Sequence, residues 1–207
     1  MEVTVLFFAL ALFLFIAWRK LPARKGRRGE KIVLAGLKQL DPARYKIFND
    51  ILVPSAGSTS ATQIDHLVIS NFGIFCIETK AHRGRISGSA GRKYWMRIIR
   101  GRKEKIYNPL RQNTAHVKAL EALIDPKLLK APVVPLVVFP GAESLNVSGT
   151  DAAGSLDDIL KKIGGRTALL YSDPERDEIE GLILRGVIKD RRAEKLHDRE
   201  VRRLKRL

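Results

Sequence analysis

The 207-residue sequence predicts an α/β fold, a central mixed sheet flanked by helices and preceded by one transmembrane helix. Three observations carry the prediction. Gln63-Ile-Asp-His-Leu-Val-Ile-Ser-Asn-Phe-Gly-Ile-Phe-Cys-Ile-Glu-Thr-Lys80 alternates as two apolar strands around a turn. Val133 to Phe139 is continuously apolar and rich in β-branched residues, the pattern of a strand buried on both faces. Asn108-Pro109 opens a segment carrying Gln112 to Ile124 with the cap and early proline of a helix start.

From the N-terminus, Val3 to Trp18 is almost wholly apolar, and Arg19, Lys20, Arg24, Lys25, Arg27 and Arg28 follow it. Counted from Met1, the run lies near the short end of the roughly 17–25 residues that a spanning helix needs. A cleaved signal peptide is the competing reading. Against it stand Glu2 in place of a basic start, the lack of an Ala-x-Ala-like site, and charge placed after the apolar run. Residues 1–20 are therefore read as a membrane anchor and 21–28 as a basic juxtamembrane linker. The positive-inside rule keeps that linker, and the domain behind it, in the cytoplasm.

A helix from about Gly29 to Leu40 ends before Asp41-Pro42, and Tyr45 to Val53 reads as the first strand. Pro54 to Thr62, rich in Ser, Thr and Gly, is a mobile loop placed to close over a substrate. The hairpin follows, then a strand near Arg85 and a basic hairpin turning at Arg100-Gly101. After the strand at 133–139, Leu156 to Ile163 reads as a short helix and Thr167 to Tyr171 as a strand. Residues 141–188 pack on the preceding domain. Ile179, Leu182, Ile183 and Val187 give the last helix an apolar face, and its continuation is the basic helical tail of 189–207. There is no repeat and no glycine-rich nucleotide loop; Gly164-Gly165 lacks the surroundings of one.

Acidic groups on greasy strands need a physical reason. With Ser70-Asn-Phe-Gly73 as a type I turn, Asp65 stands opposite Glu78. Directly opposed residues share a face with Cβ atoms roughly 4.5–5.5 Å apart, where like charges repel. A divalent cation would resolve the conflict. The competing register, a three-residue loop with Gly73 as a bulge, would put the two carboxylates on opposite faces. In either register Glu78 and Lys80 share a face, because strand side chains alternate. Two carboxylates beside a lysine suit phosphodiester hydrolysis. Hard oxygen ligands favour Mg2+, with Mn2+ as a substitute. The metal lowers the pKa of a bound water, and lysine orients that water or neutralises charge developing at phosphorus. The plain reading of Glu-x-Lys alone is a surface ion pair.

Gly29-Glu30 at a helix start, Gln63-Ile-Asp-His-Leu-Val-Ile-Ser70, Gly73-Ile-Phe-Cys-Ile-Glu-Thr-Lys80, Gly84-x-Ile86-x-Gly88, Trp95, and Asn108-Pro109-x-x-Gln112 leading to His116 together resemble the nuclease-related domain (NERD) family. The likeness spans 29–140. It implies a fold similar to the PD-(D/E)xK nucleases, with a restriction-endonuclease-like mixed sheet flanked by helices. It further implies metal ligands at Asp65 and Glu78, a catalytic lysine at Lys80, a helical acid at Glu30 and a polar helix residue at Gln112. Ile64 stands where the proline of that motif would precede the aspartate.

The formal net charge is +16, from 38 Lys and Arg against 22 Asp and Glu, and it is concentrated in three blocks. The juxtamembrane cluster suffices to set topology and to touch anionic lipid. The second block runs from Arg83 to Lys105 and is interleaved with Tyr94, Trp95 and Tyr107. One sign of charge beside aromatics is the composition of a groove that tracks phosphates. Arg83, Arg85, Arg92, Lys93, Trp95 and Arg97 are thus candidate nucleic-acid contacts, with a solvated hairpin as the plainer reading. The third block, in 189–207, suits an anionic membrane, nucleic acid or solvent equally. The single Cys76 on an apolar strand fits a packed thiol in a reducing compartment. His66 falls on the strand face opposite Asp65 and reads as packed or hydrogen-bonded, whereas His116, one turn beyond Gln112, is placed to approach the acids.

These readings combine into a membrane-anchored, cytoplasm-facing, metal-dependent hydrolase of nucleic acid, DNA before RNA. The alternative keeps the fold and the basic face without turnover, as a module that binds nucleic acid or a protein partner at the membrane. A lipid-recognising scaffold is the third.

Overall fold

The computed structural model describes residues 26–188. The anchor at 1–20 and the tail at 189–207 lie outside the described residues. Helix α1 (residues 26–37) is followed by strands β1 (Tyr45–Pro54), β2 (Ala61–Ser70), β3 (Gly73–Thr79), β4 (Gly84–Ser89), β5 (Tyr94–Ile99) and β6 (Arg102–Tyr107). Then come α2 (Pro109–Glu121), β7 (Val134–Val138), β8 (Ala142–Ser148), β9 (Ala153–Gly154), α3 (Leu156–Gly164) and α4 (Asp173–Gly186). The strands form two sheets, in the orders β1-β2-β3-β7-β9 and β6-β5-β4-β8.

The first sheet is mixed, as expected. β1, β2 and β3 are antiparallel, while β7 and β9 add in parallel. Ser70 pairs with Gly73 and His66 with Ile77, so one step further Asp65 stands across from Glu78. This is the register of the four-residue turn, not of the bulge. Gly73 takes φ 146°, a region that glycine enters without steric penalty. The Ser70 hydroxyl closes the turn, donating to the Gly73 carbonyl at 2.9 Å and accepting from the Phe72 N–H at 3.2 Å. The apolar run at 133–139 becomes β7 beside β3, with Leu136, Val137 and Val138 fully buried.

Each face of this sheet carries its own core. Leu67, Ile69 and Ile74 pack with Leu120 of α2 and with Ile179 and Ile183 of α4. Val68, Phe75 and Ile77 pack with Val33 and Leu37 of α1 and with Ile159 and Ile163 of α3. The second sheet docks on the first through Ile86, Trp95 and Ile106, which meet Val137 and Phe139. The Trp95 ring stacks on Phe139 at 6.2 Å between centroids.

Two local readings are corrected, and one grouping of strands is new. Thr167 to Tyr171 forms no strand; the Leu170 and Tyr171 N–H groups both donate to one carbonyl, that of Asn71, at 2.8 and 3.0 Å, so no ladder propagates. The last helix starts at a Ser172 capping box and stops at Gly186, so it does not run on through Val187. Val187 is extended, and the Ile188 N–H donates to the Leu52 carbonyl at 2.8 Å. Finally, the strand near Arg85 and the basic hairpin build a separate sheet, completed by β8, which the weak pattern after Pro140 did not announce.

Asn113 joins α2 to the first sheet. Its amide donates to the Cys76 carbonyl at 2.9 Å and to the Leu136 carbonyl at 2.8 Å, and its oxygen accepts from the buried Cys76 thiol at 3.1 Å. Replacing Asn113 with Ala strands these groups without water, so a loss of about 2–4 kcal/mol in chemical denaturation is expected. A variant as stable as the parent would show that apolar packing alone holds α2.

Candidate active site

Four carboxyls from four elements are close enough to perturb one another: Glu30 of α1, Asp50 of β1, Asp65 of β2 and Glu78 of β3. Glycine at position 29 lets α1 approach. A Cβ there would lie 3.2 Å from Ala81 Cβ and 3.4 Å from Thr79 Cγ2, so a larger residue would crowd the contact between the start of α1 and the end of β3.

Lys80 sits one residue past β3, and its N–H donates to the Val138 carbonyl at 2.8 Å, which fixes the backbone beside β7. Its ammonium donates to Glu78 Oε1 at 2.6 Å and to Gln112 Oε1 at 2.8 Å. Gln112 Nε2 donates to the same Glu78 oxygen at 2.9 Å, closing a triangle. The second Glu78 oxygen lies 3.2 Å from His116 Nε2, and His116 Nδ1 pairs with the Thr62 hydroxyl at 2.7 Å. Three side chains thus grip a carboxylate that is only 4% exposed. Gln112 and His116 are one helical turn apart on α2, whose start is set by Asn108. The Asn108 oxygen accepts from the Leu110 N–H at 2.9 Å, while its amide donates to the Ala90 and Arg92 carbonyls at 3.0 and 2.7 Å.

The two opposed carboxyls respond differently to burial. For Asp65, burial first and the Glu78 charge second push the pKa up to about 8, against the hydrogen bond it accepts from the Thr79 N–H at 2.7 Å. For Glu78, burial also opposes ionisation, but the His116 hydrogen bond and the Lys80 charge outweigh it and hold the group below its usual range. Glu30 is raised by burial, then by Asp50 and Glu78. The two opposed carboxyls are therefore driven apart in pKa, Glu78 down and Asp65 up.

The donor chemistry suits a hard divalent cation, because Glu30, Asp65 and Glu78 bring only oxygen donors together. Among the described residues no three His, Cys, Asp or Glu side chains stand in ready ligand geometry. The Glu78 oxygens are taken up by Lys80, Gln112 and His116 instead.

Glu30, Asp65, Glu78, Lys80 and Gln112, the residues singled out in the sequence, share this site. Asp50 went unnoticed. It lies between the pairs Asn49↔His66 and Ile51↔Ile64, across from Asp65, and it takes φ 55°. Its carboxylate accepts from Gln63 Nε2. The signal was available in Asn49-Asp50, two strand-averse residues inside β1. His66 is packed as read, but neither ring nitrogen has a hydrogen-bond partner, and burial pulls its pKa down to about 4.

The basic candidates divide. Arg83, Arg85, Arg92 and Lys93 are exposed. Trp95 is corrected: it is 2% exposed, and its Nε1 donates to the Ser89 carbonyl at 2.9 Å, so its ring serves the core and presents no surface for stacking. Arg97 lies on the same inner face, bonded to Glu104 and 3.2 Å from His82 Nδ1. The exposed aromatics are Tyr94 and Tyr107.

Residues 25–140 match the nuclease-related domain, NERD. The chain belongs to the NERD family. An uncharacterised protein of Bacillus anthracis is 34% identical over 184 residues, which cover 86% of this chain and 84% of that one. No solved structure matches the chain. The NERD match contains all four acids, Lys80 and Gln112, whereas α3 and α4, which complete the two cores, lie beyond it.

Asp65 has an unfolded value of 3.8 and a folded value of about 8, so between those limits folding takes up a proton and stability falls as pH rises. Asp65→Asn removes that dependence. The variant is expected to melt higher than the parent at pH 8, with the gap closing towards pH 4, in thermal denaturation without divalent cations. A gap that stays constant with pH would contradict the shift.

Proposed function

We propose that this NERD protein hydrolyses phosphodiester bonds of nucleic acid, DNA before RNA, with Mg2+ or Mn2+, while residues 1–20 hold it at the membrane with the domain in the cytoplasm. The observation that supports this most is the triangle of Lys80, Glu78 and Gln112 next to Asp65, whose pKa burial and the Glu78 charge push up. Such a cluster has little structural purpose, since a buried Glu78 facing a half-buried second carboxyl destabilises the fold that carries it. Asp65 and Glu78 would hold the metal, with Glu30 reaching it directly or through water, and the bound metal would supply an acidified water and positive charge at phosphorus. Lys80 sets the direction of approach to the phosphate and neutralises charge as it develops on the phosphoryl oxygens. Gln112 keeps Lys80 and Glu78 in register, and His116, braced by Thr62, fixes the plane of the Glu78 carboxylate. The tether rests on the apolar run from Val3 to Trp18.

A second reading is favoured by the grip on Glu78. With both its oxygens already engaged, the domain would bind nucleic acid without turning it over. Incubating the full-length chain in detergent with single- and double-stranded DNA and RNA, with Mg2+ or Mn2+, separates the two. Cleavage is expected with metal only, reduced at least about 100-fold in Lys80→Ala and in Glu78→Ala. Intact substrate that the parent retains in a salt-dependent way would instead establish the binding module.

A further inference from the structure

The second sheet has an outward face that the acidic site does not use. Ile86, Trp95 and Ile106 point inward, so their neighbours along each strand point to solvent. Across that face Met96 lies between Ser87 and Lys105, Ile98 between Arg85 and Lys103, and Tyr94 opposite Tyr107. The one acid in β4, β5 and β6, Glu104, is on the other side, bonded to Arg97. Over β4, β5 and β6 the face is therefore cationic, with an aromatic end.

That end is unusual for a solvated sheet. Tyr94 and Tyr107 are 50% and 49% exposed, their centroids are 6.1 Å apart, and the rings meet edge to face at 79°. The Lys93 ammonium lies 5.5 Å from the Tyr94 centroid. Beside them opens a concavity of about 720 Å³, lined by Ser87, Arg92, Lys93, Tyr94 and Met96 with Lys105 at its edge. Exposed rings beside ammonium groups match the alternation of base and phosphate along a nucleic-acid strand. Stacking on a protein ring needs a base whose face is free, and in a duplex neighbouring pairs cover it.

We propose that this face binds single-stranded nucleic acid, with bases on Tyr94 and Tyr107 and phosphates on Lys93, Lys103 and Lys105. The proposal rests on the hydrolytic reading only for the strand's onward path. The Lys93 and Arg92 carbonyls accept from Asn108 at 3.0 and 2.7 Å, and Gln112 is four residues further along α2. At 1.5 Å per residue that is about 6 Å along the helix. A strand leaving the platform at Arg92 and Lys93 thus meets the first turn of α2, which carries Gln112 to Lys80.

Fluorescence anisotropy of the full-length chain in detergent and chelator tests the platform apart from cleavage. The probes are a 12-mer oligodeoxythymidine, the corresponding single-stranded RNA, a 12-base-pair DNA duplex, and vesicles with and without anionic lipid. Single strands are expected to bind at least about tenfold more tightly than duplex, and Tyr94→Leu with Tyr107→Leu to lose about tenfold or more. Tyr94→Phe with Tyr107→Phe should bind as the parent does, and Lys103→Ala with Lys105→Ala should flatten the dependence on salt. Equal affinity for duplex, full binding by the leucine pair, or binding to anionic vesicles alone would each overturn the platform. A chain that binds single strands in this way and never cuts them would overturn the hydrolytic reading and leave the platform standing.

Discussion

Asp65 and Glu78 are opposed carboxyls inside an apolar sheet, and the repulsion between them is the constraint to which the rest of the site answers. In water two such charges at this spacing would matter little; in a low-dielectric interior they cannot both ionise without a counter-charge. The protein divides the burden unequally. Glu78 receives Lys80, Gln112 and His116 and is held below its usual range, while Asp65 receives one backbone N–H and is pushed up to about 8. Glu30 and Asp50 then add acidity where it is already in excess. An arrangement made for stability would have dispersed these groups.

The surrounding fold secures those contacts at several points. β7 accepts the Lys80 N–H, α1 comes near enough to deliver Glu30 because residue 29 has no Cβ, and α2 is pinned at its start by Asn108 and at its middle by Asn113. Asn108 ties α2 to the second sheet and Asn113 ties it to the first. The helix that carries Gln112 and His116 is thereby the mechanical link between the acidic site and the basic, aromatic sheet face. Both faces of the first sheet close their cores with α3 or α4, so those two helices belong to the same folding unit.

Much of this was legible in the residues, and the reason is period. Strands of alternating or continuous apolar residues announced β2, β3 and β7, and the turn chemistry of Ser70 and Gly73 offered the register that brings Asp65 to Glu78, with the bulge register left beside it until the pairing of Ser70 with Gly73 decided between them. Less was legible where a residue type has two uses. Trp95 in a basic hairpin looked like a stacking ring, yet only the sheet's packing on Phe139 decides which way it points, and Tyr94, one residue earlier, faces solvent instead. Asp50 was hidden because its role comes from a partner strand, and β8 because its weak apolar alternation gains meaning only beside β4.

Mn2+ binding to the full-length chain, followed by electron paramagnetic resonance in the parent and in Asp65→Asn, probes this acid cluster most directly. If Asp65 and Glu78 are kept together for a cation, the parent binds Mn2+ and the variant binds it at least about tenfold more weakly. Equal binding in the two, or none in the parent, would contradict the reading that the buried acids form a metal site.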